Sequence, residues 1–254
     1  MPIDTHIHLD SKEYSADLDD VIKRAENAGI KYFINPGSDV KSISRINEIC
    51  KTYSQIIPAY GIHPHDAKYF SEEIGILLEN SITQNNACAI GETGLDYHYN
   101  LSDPDIQKKV FKQHIKLAKK YKLPLIIHSR NSEVDFFNII NEENYFNGVI
   151  HCFSGDLYWA EKFISLGFFL GITGVITFKK AHELKNIVSK LPLSSFLPET
   201  DGPFLTPIPF RGKRNESSFI PLIIDEIAKI KNLPVDLVSE QLLKNSSKLF
   251  SKIF

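Results

Sequence analysis

The chain has 254 residues, 43% hydrophobic and 24% charged, a balance ordinary for a folded protein that excludes disordered and fibrous classes. Its length allows one large domain or two small ones. A formal charge of −2 and a pI near 6.5 exclude a protein that coats nucleic acid or anionic membrane through bulk positive charge, so any polyanionic substrate must be gripped locally.

Asp4, His6 and His8 come before any apolar stretch long enough for a signal peptide, and no run of about 18 apolar residues follows. The expected location is the cytoplasm, without a membrane partner. Short β-rich runs then alternate with longer segments of helical periodicity, the rhythm of repeated βα units around a parallel sheet. The expected strands are Ile3 to His8, Lys31 to Asn35, Ile56 to Tyr60, Ala87 to Gly91, Leu125 to His128, Gly148 to Cys152, Phe168 to Ile172 and Ser195 to Glu199, eight in all. Between the first two, Asp17 to Ala28 carries Leu18, Val21, Ile22 and Ala25 on one helical face and stops at Gly29. Phe111, Ile115, Ala118 and Tyr121 mark another helix that ends before Pro124, and two last helices run from about Phe219 to Lys231 and from Pro234 to Phe250.

No linker or low-complexity tract divides the chain. A single-domain α/β fold over residues 1–254, a (β/α)8 TIM barrel, is the economical reading at about 250 residues. An open doubly wound sheet is the alternative. Cys50, Cys88 and Cys152 are too few and scattered for a disulfide framework or a cysteine-rich zinc site, and Cys88 and Cys152, in apolar runs, are expected to be buried free thiols. No heptad or apolar stripe indicates an obligate protein partner.

In such a barrel the side chains just past the C-terminal strand ends line the active-site mouth. His6 and His8 follow the first expected strand, His63 the third, Glu92 the fourth, His128 the fifth, His151 the sixth and Asp201 the eighth. His6 and His8 are two apart, so on a strand both imidazoles reach one ion. Each residue alone also has a plainer reading. The histidine pair fits a capping role, His128 and His151 fit core histidines bonded to carbonyls, Glu92 and Asp201 fit helix caps or salt-bridge partners, and His63 fits a solvent-facing turn. Together they favour a divalent-metal centre, because desolvating so many imidazoles and carboxylates is costly unless a cation compensates. Asp96 and Glu199 are placed to orient the imidazoles from behind.

With these residues in view, the chain resembles the TatD family of metal-dependent deoxyribonucleases, within the amidohydrolase-like barrel superfamily. The resemblance spans nearly the whole chain. It runs through Ile3-Asp4-Thr5-His6-Ile7-His8-Leu9-Asp10, Gly61-Ile62-His63-Pro64-His65, Gly91-Glu92-Thr93-Gly94-Leu95-Asp96-Tyr97 and Pro124-Leu125-Ile126-Ile127-His128-Ser129-Arg130. It continues through His151-Cys152-Phe153-Ser154-Gly155, Glu199-Thr200-Asp201-Gly202-Pro203 and Arg211-Gly212-Lys213-Arg214-Asn215-Glu216. The resemblance implies two divalent cations, with His6, His8 and Asp201 on one, His128 and His151 on the other, Glu92 bridging and His63 near the substrate phosphate. Two departures stand out: Phe210 where many relatives carry histidine, which is expected to alter substrate contact, and Pro198, which is expected to bend the last strand.

The activity so implied is hydrolysis of DNA phosphodiesters, on single strands or strand ends, by a metal-activated water. Asp201 is the candidate general base, and Glu92 and His63 share the catalytic role. Arg130, Lys213 and Arg214, with His63, are the candidate phosphate contacts, although Arg211 to Arg214 also reads as a solvated loop. Mixed nitrogen and oxygen ligands suit zinc, manganese or iron, whereas magnesium prefers oxygen. One alternative is a related hydrolase acting on a small ester, amide or phosphoester; many such barrels bridge their metals with a carboxylated lysine, where this chain offers Glu92. A barrel that binds metal or a partner without catalysis is another, and it would normally lack a ligand or the base, none of which is missing here.

Overall fold

The computed structural model of the chain describes residues 3–253. Seven parallel strands form one sheet in sequential order, β1 to β7: Phe33–Pro36, Ile56–Tyr60, Ala89–Asp96, Leu125–Arg130, Gly148–His151, Phe169–Ile172 and Phe196–Pro198. Helices alternate with them: α1 Leu18–Asn27, α2 Val40–Thr52, α3 Glu72–Gln84, α4 Pro104–Tyr121, α5 Glu133–Glu143, α6 Leu157–Ser165, α7 His182–Lys190, α8 Ile220–Lys231 and α9 Val235–Leu249. Their starts follow from local chemistry. Asp39 and Ser42 form a reciprocal capping box at α2, Asp156 caps α6, and Pro104 and Pro221 occupy first-turn positions where no N–H is needed. Among the described residues no helix is long and apolar enough to cross a membrane.

The expected first strand, Ile3 to His8, is the exception. It makes only two isolated bridges, Asp4 to Phe33 on one side and Ile7 to Gly202 on the other. Its backbone nevertheless bonds to both sides: Asp4 N donates to Tyr32 O and Ile7 N to Ile34 O, while Thr5 N donates to Pro198 O and His8 N to Gly202 O. The ladder breaks at His6, whose N–H turns to Asp4 Oδ1 at 3.3 Å, so that Ile7 and not His6 donates to Ile34 O and the pairing slips by one residue. Pro198 ends β7, and its carbonyl accepts from both the backbone N and the hydroxyl of Thr5.

Alternation along the strands divides the interior in two. One apolar cluster contains Ile34, Ala59, Ala89, Ile126, Val149, Phe169 and Leu197, one residue from every strand, with Ile3, and is floored by Leu249 and Phe250. The neighbours on the opposite face, such as Phe33, Ile90, Leu125, Ile127 and Ile150, pack with Phe111, Ile115, Ile140 and Phe163 of the helices. Continuing the inner phase of β4 from Ile126 brings His128 inward, and that of β5 from Val149 brings His151.

Glu92 requires more than alternation. Ile90 pairs with Leu125 and Thr93 with Ile127, so three steps on β3 match two on β4. The extra residue swaps the faces of the strand beyond it, and Glu92 turns toward the same interior as Asp96. Gly94 sits where β3 and β4 touch most closely: a Cβ there would lie 2.0 Å from the His128 carbonyl oxygen.

Candidate metal centre

Two strands end in sharp turns that aim polar side chains at the mouth. Cys152 (φ 45°) follows β5, and Asp201 (φ 56°) lies three residues past β7, both in the left-handed region that side chains seldom adopt. Asp201 N donates to His6 O at 2.9 Å, and Asp4 accepts from Thr200 N, Thr200 Oγ1 and Ser217 Oγ. The opening segment and the end of the sheet are thus fastened together at the site. On the opposite flank, Ile62 N donates to Nε2 of buried His114 at 3.0 Å, which steadies the turn carrying His63.

Glu92 stands at the centre, almost wholly buried. Its Oε2 lies 3.4 Å from His6 Nε2 and 3.7 Å from His8 Nε2. Its Oε1 lies 3.1 Å from His128 Nδ1 and 3.4 Å from His63 Nε2. One carboxylate therefore faces a different histidine pair with each oxygen. Asp201 Oδ1 completes the first side, 3.6 Å from His8 Nε2, 3.9 Å from His6 Nε2 and 3.5 Å from His151 Nε2. The His151 ring stacks on His6 at 3.4 Å between centroids, so the structure groups His151 more closely with His6 and Asp201 than the implied pairing with His128 suggests.

The imidazoles are oriented from behind. Asp96, fully buried, takes His128 Nε2 at 2.9 Å and His65 Nε2 at 3.0 Å on Oδ2, while its Oδ1 accepts from the backbone of His98 and Tyr99. This contact leaves Nδ1 as the His128 nitrogen that faces the cavity. Glu199 Oε1 lies 2.9 Å from His151 Nδ1 and accepts from Cys152 N at 2.6 Å, which directs His151 Nε2 inward. Gly171 on β6 makes room for that carboxylate, since a Cβ would lie 2.4 Å from Oε1. His63 differs: its Nδ1 accepts from His65 N at 3.2 Å, so the neutral ring carries its proton on Nε2 and presents a donor to the cavity.

Burial opposes charge throughout, and the acids overcome it at selected rings. His8 is pushed up to about 9 and His151 to about 10; burial works against the shift in both, and Asp201 and Glu92 outweigh it at His8 while Glu199 and Asp201 do so at His151. Burial is opposed in the same way at Glu92 and Asp201, which the histidines hold below the usual carboxylate range. His63 goes the other way, lowered to about 4 by burial. His6 is lowered as well, by burial and by the neighbouring His151, so the acids favour positive charge at His8 and His151 and not at every ring.

The residues fit a divalent cation. His6 Nε2 and His8 Nε2 lie 3.2 Å apart beside two carboxylates, and nitrogen lone pairs at that distance need a shared proton or a shared ion. Behind the rings, buried His6 Nδ1 and Glu199 Oε2 have no hydrogen-bond partner among the described residues, whereas His151 Nδ1 has Glu199 Oε1 at 2.9 Å. Several triads have ligand atoms within 4.8 Å of one another: His6, His8 and Glu92; His63, Glu92 and His128; His151, Cys152 and Asp201; and His6, His151 and Glu199.

These groups open onto a cavity of about 690 Å³. Arg130 lines it, and so does Arg45 of α2, which sequence reasoning overlooked because it lies well past its strand. Lys213 and Arg214 do not line it. Arg214 is held in a two-pronged pair with Asp17, Nη1 to Oδ1 and Nη2 to Oδ2 at 2.7 Å each, and Lys213 is exposed. The neighbouring Asn215 donates to Thr200 O and Phe204 O, and Glu216 pairs with Arg24, so this motif is a strap that fixes the loop after β7. Phe210 stacks on Phe219 with centroids 4.7 Å apart, outside the cavity lining. The three cysteines are free, and Cys88 is buried as expected; Cys152 is only partly buried and borders the cavity, because the left-handed turn lifts it out of the strand.

Comparison with known proteins places the chain in a family. A family profile described as TatD related DNase matches residues 3–251. YabD of Bacillus subtilis, named an uncharacterized metal-dependent hydrolase, is 39% identical over 98% of this chain and 99% of its own. The crystal structure of YjjV, a TatD homolog from Escherichia coli K12, superposes with a TM-score of 0.92 at 30% identity, covering 98% of both chains. A hydrolase of the TatD family from Entamoeba histolytica superposes with a TM-score of 0.90 at 25% identity, over 98% of this chain and 97% of that one. This chain belongs to the TatD-related DNase family and is a metal-dependent hydrolase.

Proposed function

We propose that the chain is a cytoplasmic deoxyribonuclease that hydrolyses DNA phosphodiester bonds, on single strands or strand ends, at a dinuclear centre in a (β/α)8 barrel. The observation that carries this reading is Glu92, whose two oxygens face two separate histidine sets. In this reading residues 3–8 act as the eighth stave, supported by their backbone bonds toward both β1 and the end of β7. His6, His8 and Asp201 would hold one ion and His128 and His151 the other, with Glu92 within reach of both and His151 standing also beside Asp201. The nitrogen-rich set suits zinc, manganese or iron. Two such cations supply an activated water and charge for the attacking and leaving oxygens.

The residues of the chain supply the rest. Asp201, an ionised carboxylate at the cavity edge, accepts the proton of the attacking water. His63, neutral with its proton on Nε2, donates a hydrogen bond to a phosphate oxygen. Arg130 and Arg45 neutralise the phosphates on either side.

The test is hydrolysis of end-labelled single-stranded DNA by purified protein with measured metal content. Glu92→Gln and Asp201→Asn should each reduce turnover by at least 100-fold, on the order of removing a catalytic group, with the fold intact by circular dichroism. Undiminished turnover in both would refute these roles. Cleavage of small esters or amides with none of DNA would assign the centre to a different substrate class.

A further inference from the structure

Two large aromatic side chains stand exposed inside the cavity lining: Tyr99 at 57% and Phe204 at 58% exposure. Other exposed aromatics, Tyr69 and Tyr158, lie outside it. Tyr99 follows β3 and Phe204 follows β7, four places apart in the strand order, so the two rings stand on different flanks of the metal-site residues. Each is tied to the site by its backbone. Tyr99 N donates to Asp96 Oδ1 at 2.8 Å, on the carboxylate that orients His128. Phe204 N donates to Asp201 O at 2.9 Å, and its carbonyl accepts from Asn215. The residue after Phe204, Leu205, adopts φ 56°, a left-handed conformation that a leucine rarely tolerates, so the loop holds this exposed ring at some conformational cost.

The surroundings of the rings match a nucleotide better than a general apolar ligand. The Arg130 guanidinium lies 5.0 Å from the Tyr99 ring centroid, and His65 meets that ring edge-on. Arg45, about half exposed, lines the same cavity from the β1 side. Flat apolar faces beside cationic groups are the combination that binds the bases and the backbone of an unpaired strand. In a duplex both faces of each base are already covered by stacking.

Resting on the deoxyribonuclease reading, we propose that Tyr99 and Phe204 are base-stacking platforms that hold unpaired nucleotides on either side of the metal centre. They make the enzyme selective for single strands and frayed ends through contact with the bases, and not only with the phosphates.

The test compares a fluorescent oligothymidylate with a strand of equal length built of abasic residues, reading KM for cleavage and binding by anisotropy. Wild type should prefer the base-bearing strand by at least about 5-fold, the low end of the roughly 5- to 150-fold that a single stacking contact supplies. Tyr99→Ala and Phe204→Ala should each shrink that ratio severalfold, while Tyr99→Phe and Phe204→Tyr preserve it, which separates stacking from a folding defect. Cleavage by wild type with no preference, or a preference untouched in both alanine variants, overturns the platforms and leaves the nuclease reading standing. A preference in binding that the alanine variants lose, without any cleavage, supports the platforms and overturns the nuclease reading. Neither binding nor cleavage overturns both.

Discussion

Replacing Asp96 with asparagine isolates the orientation of one imidazole. The carboxylate accepts four hydrogen bonds, two on each oxygen: His98 N and Tyr99 N at 2.9 and 2.8 Å, His128 Nε2 and His65 Nε2 at 2.9 and 3.0 Å. Burial opposes its charge, yet His128 and the Tyr99 N–H hold it well below the usual carboxylate range, so it is ionised at neutral pH. Asparagine has the same shape and only one accepting oxygen. If that oxygen keeps the two backbone N–H groups, the amide nitrogen faces both imidazoles. His128 must then accept on Nε2 and carry its proton on Nδ1, the nitrogen 3.1 Å from Glu92 that faces the cavity. A protonated Nδ1 cannot ligate. Restoring the original tautomer sets donor against donor, and losing such an orienting contact lowers metal affinity by about 10- to 100-fold, or roughly 1.4–2.8 kcal/mol. Turning the amide over strands two buried N–H groups instead, at about 1–3 kcal/mol each. Competition with a chromophoric chelator reads the affinity, and urea unfolding in excess chelator reads the stability. An Asp96→Asn protein that takes up the same number of ions as wild type with undiminished affinity would refute this account of His128.

Other consequences are independent of it. His8 and His151 hold protons to about 9 and about 10 in the folded chain, against 6.5 for an unperturbed histidine. The stability they lend without metal is therefore complete below about pH 6.5 and lost as pH rises through 9 to 10, whereas bound cations replace those protons and remove the dependence. Urea midpoints in chelator should fall between pH 6.5 and 9.5 while those with zinc or manganese change less; a flat curve in chelator would count against it. Gly171→Ala places a methyl 2.4 Å from Glu199 Oε1, so the carboxylate must leave His151, and metal affinity should drop about tenfold, seen in the same chelator competition. Arg214→Ala removes the pair with Asp17 and should lower stability by about 1 kcal/mol, measured by urea midpoint. Arg130→Ala should instead reduce the salt slope of DNA binding by about one.

The rhythm of apolar runs makes the βα alternation legible, and seven of eight expected strands are present, six of them within two residues at either end and β3 running five residues further, to Asp96. Residues 3–8 are harder, because the pairing slips where His6 N turns to the Asp4 side chain, and no local pattern records that. Glu92 is expected just past a strand that ends at Gly91. It lies within β3, beyond an irregularity that reverses the faces, and a one-residue slip leaves little trace in hydrophobicity. Arg45, His114 and Gly171 act at the site from a helix, a helix interior and a strand, places where sequence position relative to a strand end gives no hint.

The contrast between the two basic positions explains why charge alone misleads. Arg130 ends β4, in the inner phase set by Ile126 and His128, so the strand itself delivers it to the cavity. Arg214 sits in a loop dense with basic residues, the pattern expected of a phosphate contact, but Asp17 occupies both of its terminal nitrogens and Tyr14 lies against its guanidinium. Tyr14 in turn donates to Asn215 O at 2.6 Å, and Asn215 anchors the carbonyls of Thr200 and Phe204. The basic loop therefore acts on the metal centre indirectly, by fixing the turn that presents Asp201.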